Sequence, residues 1–226
     1  GGSDVRLWCS WYSYYEDIDA GRITAAIDGL RDLPFDTIQI DDGWQQAIGD
    51  WTPNAKFPAG VAPLGQRIRD TGRRAGLWLA PFIAAPDSDL AMRWPEMLLR
   101  DDTGEPVIAG ENWGSPYYAL DVTHPATEAH LTELFAGLRA AEFGFFKLDF
   151  IYAAAFPGRH ATPMGREAAY RHGLGTIRRA VGDDAYLLAC GAPIVASIGI
   201  CDGIRIGPDV GPWWVDPEAA DSATGR

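Results

Sequence analysis

Two short apolar runs in this chain end on a carboxylate with a cation of the same strand parity. They are Phe145-Phe146-Lys147-Leu148-Asp149-Phe150 and Arg205-Ile206-Gly207-Pro208-Asp209. Alternate residues of a strand face the same way, so Lys147 shares a face with Asp149, and Arg205 with Asp209. A nearby cation favours an ionised carboxylate, and apolar surroundings favour a protonated one. Two acids at two strand ends can therefore divide into a charged nucleophile and a proton donor. Asp149 is the candidate nucleophile, with Lys147 expected to hold it ionised and Leu148 and Phe150 expected to point outward. Asp209 is the candidate general acid/base, placed by Gly207-Pro208 and expected to be kept protonated by the nearby Trp213-Trp214. A structural Lys-Asp pair and a turn-forming Asp after proline are the plain readings of the same residues.

A third carboxylate group, Asp41-Asp42-Gly43-Trp44, follows another apolar run. Adjacent side chains diverge, so Asp41 and Asp42 could accept from two different hydroxyls, or bind a metal; a solvated turn is the bland alternative. Aromatic residues are dense near these strand ends, with Trp8, Trp11, Tyr12, Tyr14, Tyr15, Trp44, Trp51, Trp78 and Trp113 among them. Flat aromatic faces suit the C–H faces of sugar rings, although each Trp alone is more often core. Cys190-Gly191 would let a ligand hydroxyl approach closely, and a buried thiol is the commoner explanation. His124, His130, His160 and His172 pair with no Ser or Cys in a nucleophile arrangement and read as structural or surface residues.

The elements that must position these groups alternate in type. Strands are expected at 6–11, 37–40, 77–82, 143–150, 186–189 and 203–206, with a short extended piece at 117–120. Helices are expected at 19–33, 64–74, 90–99, 127–141 and 163–181, the last opening on Pro163. In 127–141 the buried stripe is Leu131, Leu134, Phe135 and Leu138. Such alternation implies parallel strands and an α/β fold. Polar residues gather at the C-terminal ends of most strands, and no G-x-G-x-x-G follows any of them. Both observations favour a (β/α)8 TIM-type barrel over a doubly wound sheet. About six β/α units are visible where a closed barrel needs eight, and the tail 215–226 carries no further strand. The reading is thus one catalytic domain over 1–226, a barrel fragment with exposed edges.

The chain has 226 residues, 47% of them hydrophobic, enough for a sizeable core. Its 19 Lys and Arg against 31 Asp and Glu give a net charge of -12. That balance argues against nucleic-acid and anionic-membrane partners. No apolar run approaches the roughly 20 residues that span a bilayer. The start, Gly1-Gly2-Ser3, reads as the interior of a longer protein. Cys9, Cys190 and Cys201 lack metal-ligand spacing and make no disulfide framework. A cytoplasmic location is favoured.

Six motifs in order resemble the catalytic barrel of the family 36 glycoside hydrolases, the microbial α-galactosidases or melibiases. They are Trp8-Cys9-Ser10-Trp11-Tyr12, Ile40-Asp41-Asp42-Gly43-Trp44, Gly76-Leu77-Trp78-Leu79-Ala80-Pro81-Phe82, Phe146-Lys147-Leu148-Asp149-Phe150, Ala189-Cys190-Gly191-Ala192-Pro193 and Arg205-Ile206-Gly207-Pro208-Asp209. The resemblance implies a retaining double displacement on terminal α-linked galactose, with Asp149 as nucleophile and Asp209 as acid/base. It implies that Asp41 and Asp42 bind the 4- and 6-hydroxyls, that Lys147 and Arg205 reach ring hydroxyls, and that Cys190 lies near the 2-hydroxyl. Trp11 and Trp78 would line the pocket. It implies an α-galactoside as partner, no metal or organic cofactor, and room for oligomers of the full-length parent. The family's flanking β-domains and barrel strands seven and eight are absent from this sequence. Alternatives are an α-N-acetylgalactosaminidase, a transglycosylase of the raffinose or stachyose synthase kind, a metal-dependent barrel lyase or aldolase using Asp41, Asp42 and Asp149, and a non-catalytic sugar-binding barrel.

Overall fold

Short runs of Leu, Ile, Phe and Trp, each followed by a helix, assemble here into one parallel sheet. The computed structural model describes residues 5–210. Its strands are β1 (Leu7–Cys9), β2 (Thr37–Ile40), β3 (Gln45–Ala47), β4 (Asp50–Pro53), β5 (Arg74–Leu79), β6 (Ile83–Ala84), β7 (Ile108–Asn112), β8 (Ser115–Ala119), β9 (Phe145–Leu148), β10 (Tyr186–Ala189) and β11 (Gly203–Ile204). The helices are α1 (Trp11–Tyr14), α2 (Ala20–Gly29), α3 (Ala62–Asp70), α4 (Asp89–Arg93), α5 (Pro125–Ala140), α6 (Arg166–Val181) and α7 (Ile194–Ser197).

The main sheet runs β1-β2-β5-β9-β10-β11, every neighbour parallel. Strand order follows chain order without reversal, so there is no switch point of the doubly wound kind. The sheet also curls. A flat six-stranded sheet would hold its edge strands about 24 Å apart, at roughly 4.8 Å per strand. Yet Arg205, just after β11, reaches the hydroxyl of Tyr12, just after β1, at 3.4 Å. The observed architecture is therefore a curled, half-barrel parallel sheet. Two antiparallel additions sit beyond the strand ends, the hairpin β3–β4 and the three-stranded β6-β8-β7.

The sequence reading placed the main elements and missed some ends. Strand β1 stops at Cys9, and Trp11 opens a helical turn instead of closing a strand. The expected helix 64–74 is α3, and Arg74 belongs to β5. Strand 77–82 begins three residues earlier and ends at Leu79. The expected helix 90–99 breaks into α4 and the 3₁₀ turn Pro95–Met97, because a proline cannot continue a helix and restrains the residue before it. Helix α6 starts after Gly165, leaving Pro163 outside it. The extended piece at 117–120 proves to be part of β8, whose partners β6 and β7 were not foreseen, nor was the β3–β4 hairpin. The tail 215–226 lies outside the described residues.

Helices cover the outer face of the sheet. Asp19 caps α2, its side chain accepting from the amide of Arg22 at 2.8 Å. In α5, Leu131 and Phe135 are fully buried while Leu134 and Leu138 are only partly covered. Phe135 meets Phe146 of β9 edge to face, with centroids 5.5 Å apart. Gly173 lets α6 approach closely, since a Cβ there would lie 2.8 Å from Val122. Phe135→Ala should cost about 3–5 kcal/mol of stability, read as a lower urea midpoint. A loss below about 1 kcal/mol would mean that α5 does not pack on β9 as described.

Candidate active site

The end of β2 carries two carboxylates in unlike settings. Asp41 is 1% exposed, and its Oδ2 accepts from Lys147 Nζ at 2.9 Å, with Lys147 4% exposed. The same oxygen accepts from Cys9 Sγ at 3.1 Å and from the Gln39 side-chain amide. Oδ1 accepts from the amide of Asp42 at 2.9 Å. The residue thus has an interior partner for its charge and interior donors for its oxygens, which is what a buried carboxylate requires. Burial alone would lower the Lys147 pKa, but Asp41, with smaller contributions from Cys9 and Asp149, raises it on balance and holds the ammonium charged. Burial first, and then the negative charge of Asp41, pushes the Cys9 thiol well up.

Asp42 is held by neutral donors. Gln45 Nε2 donates to Oδ1 at 2.6 Å and Trp113 Nε1 to Oδ2 at 2.8 Å. Burial, and to a smaller degree Glu16 and Asp41, raises its pKa from 3.8 to about 6, despite these donors. The sign for stability follows from the shift. A folded pKa above the unfolded value means that Asp42 contributes fully below about pH 3.8, and that the contribution is lost as pH rises through about 6. Ionised Asp42, the form that can accept from a ligand hydroxyl, is thus the less stable form of the fold.

Asp149 follows β9, its amide donating to Leu79 of the neighbouring strand at 2.8 Å. Trp78 Nε1 donates to its Oδ2 at 3.1 Å, and the amide of Phe150 to its Oδ1 at 2.9 Å. Here the structure corrects the parity argument. Lys147 gives its hydrogen bond to Asp41, not Asp149, which feels that cation through space. Phe150 does not point outward either. Its φ of 52° breaks the strand, and its ring stands in the cavity wall, 5.2 Å from Trp113. Left-handed backbone is uncommon outside glycine and clusters at functional sites.

Arg205 pairs with Asp209 and also reaches Tyr12. Trp213 and Trp214, expected to wall Asp209, lie outside the described residues. What Asp209 has beside it here is a cation. Trp11, Asp41, Asp42, Trp78, Lys147, Asp149, Arg205 and Asp209 all line one cavity of about 230 Å³, a size for one small ring more than for a drug-sized ligand. Cys190 is the exception among the expected site residues. It is fully buried, and the wall there is Gly191. Its thiol is pushed up to about 12, first by burial and then by Asp149. Glycine at 191 has φ of 53°, and a Cβ there would lie 3.3 Å from the amide nitrogen of Phe150. The sequence reading also missed Asn112 and Tyr152 in the wall, and gave Trp113 no special place among the aromatics. Trp113 sits on a hairpin absent from the expected elements.

A curled parallel sheet with acids just past β2 and β9 and in the segment after β11, gathered around one small cavity, has the form of a β/α-barrel enzyme site built from several strand ends. Comparison with known proteins is sharper. The melibiase family profile matches residues 5–179, and the chain belongs to that family. The α-galactosidase AgaA of Geobacillus stearothermophilus is 26% identical over 187 residues, covering 75% of this chain and 24% of AgaA. An A type blood α-D-galactosamine galactosaminidase of Flavonifractor plautii is 35% identical over 162 residues, 66% of this chain and 15% of that protein. In structure, the α-galactosidase TtGalA of Thermus thermophilus, solved with stachyose, superposes with a TM-score of 0.88 at 46% identity. That match covers 97% of this chain and 47% of TtGalA. The chain therefore spans under half the length of these relatives.

Lys147→Met should destabilise the fold by about 3–5 kcal/mol, because Asp41 would stay buried without its cation. Adding Asp41→Asn should recover part of the loss in urea unfolding. No recovery in the double variant would show that the two side chains do not act as a pair.

Proposed function

We propose that the protein carrying this chain is a retaining α-galactosidase that removes terminal α-linked galactose from oligosaccharides, and that this chain forms most of its catalytic (β/α)8 barrel. One observation carries the reading: Asp149 and Asp209, expected from sequence as nucleophile and acid/base, line the same small cavity as the Asp41–Lys147 pair. Family membership and the names of the relatives support it. So does the stachyose bound in the Thermus thermophilus structure.

In the first half-reaction an Asp149 oxygen bonds to the anomeric carbon as the glycosidic C–O bond breaks, and Asp209 gives its proton to the departing oxygen. Arg205 pairs with the carboxylate that Asp209 then becomes. In the second, Asp209 takes a proton from water, the water oxygen bonds to the anomeric carbon, and the bond to Asp149 breaks. The donors on Asp149, from Trp78 and the Phe150 amide, hold the attacking carboxylate at the end of β9. Asp41 and Asp42 would receive ring hydroxyls, with Lys147 and Arg205 as donors. Trp11 and Trp78 would form the walls. Cys190 acts through Asp149 and Gly191 in this scheme, since its thiol does not reach the cavity. No metal or organic cofactor enters it.

A second reading has a specific motive. The Flavonifractor plautii relative is named for a galactosamine substrate, so the sugar's 2-substituent is the open point of specificity. Turnover of α-galactosides, α-galactosaminides and α-N-acetylgalactosaminides by the whole protein separates the two. Asp149→Gly should abolish hydrolysis while leaving galactose binding, and added azide should restore turnover with a β-galactosyl azide as product. An α-azide, or undiminished hydrolysis by the variant, would place the nucleophile elsewhere.

A further inference from the structure

The residue at the tip of the β7–β8 hairpin breaks a local rule. Asn112 pairs with Ser115, so the turn consists of Trp113 and Gly114 alone. Both have positive φ, 53° and 71°. A two-residue hairpin turn of this kind favours Asn, Asp or Gly at both places. A tryptophan at the first place gains nothing for the backbone. Departures of this sort are expected where a side chain is needed for function.

What the side chain does is visible. Its indole N–H donates to Asp42 Oδ2 at 2.8 Å, and its ring packs 5.2 Å from Phe150 and 6.4 Å from Trp78 in the cavity wall. Asp41 has a buried lysine as counter-charge. The two side-chain donors on Asp42 are both neutral, Gln45 and Trp113. The charges that face it from nearby elements are Glu16, ahead of α2, and Asp41, both acidic. Lys147, Asp149, Arg205 and Asp209 share the cavity.

We propose that Trp113 is a positioning residue for sugar binding, whose indole N–H holds Asp42 ionised and aimed into the cavity. The proposal rests on the sugar-binding reading above and deepens it. Asp42 takes up a proton in the range of about pH 6, so the hydrogen bond acts where a small change in its strength changes the charge. A donor to a carboxylate favours the ionised form, and its loss is expected to move the titration up by about one pH unit. The hairpin tip would then set the acid limit of binding.

The test is the pH dependence of galactose binding by the whole protein, wild type and Trp113→Phe, by calorimetry from pH 4.5 to 8.5. Phenylalanine keeps a ring in the wall and removes the donor. The expected result is an acid limb displaced upward by about one unit, with affinity several-fold weaker near pH 6 and little changed at pH 8.5. A uniform loss with an unmoved limb would make Trp113 a wall only and overturn the proposal. Asp42→Asn should remove the limb, and Trp113→Phe on that background should add little. A second readout uses wild-type protein. The indole N–H resonance of Trp113 should shift with a midpoint near that of the acid limb, and should stop titrating in Asp42→Asn. A resonance flat from pH 4 to 8 overturns the proposal whether or not Trp113→Phe folds. A wild-type protein that binds no galactose sinks the sugar reading, and leaves the resonance to decide the Trp113–Asp42 link.

Discussion

The buried ion pair between Asp41 and Lys147 is the constraint on which the rest of the site depends. The two residues belong to the ends of β2 and β9, and both strands flank β5. Their side chains meet across the end of the intervening strand, at 2.9 Å. Removing two charges from water costs several kcal/mol per ion, so the pair persists only with its other atoms satisfied. Cys9 from β1 and Gln39 from β2 supply further donors. Lys147 also lies 6.0 Å from the centre of the Tyr12 ring, and the Tyr12 hydroxyl meets Arg205 beyond β11. Polar contacts thus run from the first strand to the last across the mouth of the curled sheet.

That linkage lets two neighbouring acids differ. Asp41 is locked by a fixed cation, whereas Asp42 has only amide and indole donors and the like charges of Glu16 and Asp41 around it. A carboxylate without a counter-ion in a mostly buried place is costly to the fold. It is also well placed to accept from a ligand hydroxyl, because no cation among the described residues hydrogen-bonds to it. The stability lost as pH rises through about 6 is therefore the counterpart of readiness to bind. Strain is placed in the same wall: Phe150 and Trp113 both hold left-handed backbone and pack against each other.

Much of this was legible in the sequence, and what was not has physical reasons. Carboxylates following apolar runs were the visible signal, and Asp41, Asp42, Asp149 and Asp209 all line one cavity. Arg205 does meet Asp209, but parity failed for the partner of Lys147. It takes a strand to be straight and considers one strand at a time, while Lys147 finds its carboxylate two strands away. It failed again at Phe150, where the chain leaves extended geometry just past β9. The β3–β4 hairpin and strand β7 were missed, and β8 was read only in part, because these strands are short and lack alternating apolar residues to mark them. Cys190 is fully buried, as the plainer of its two readings had it, and the left-handed Gly191 turns backbone toward the cavity.

A glycine one strand away shows how the interior carries this arrangement. Gly76 on β5 stands beside Gln39 on β2 and Phe145 on β9 in the parallel register. A Cβ there would come within 3.1 Å of both Gln39 Cβ and the Phe145 ring. The missing side chain makes room for Gln39, and Gln39 donates to Asp41. A larger residue at 76 would press on the stem of Gln39 and on the Phe145 ring alike. Glycine inside a strand weakens it and often marks a close approach. Here the side chain that approaches is the one that helps fix Asp41, so the mid-sheet glycine belongs to the site as much as to the fold.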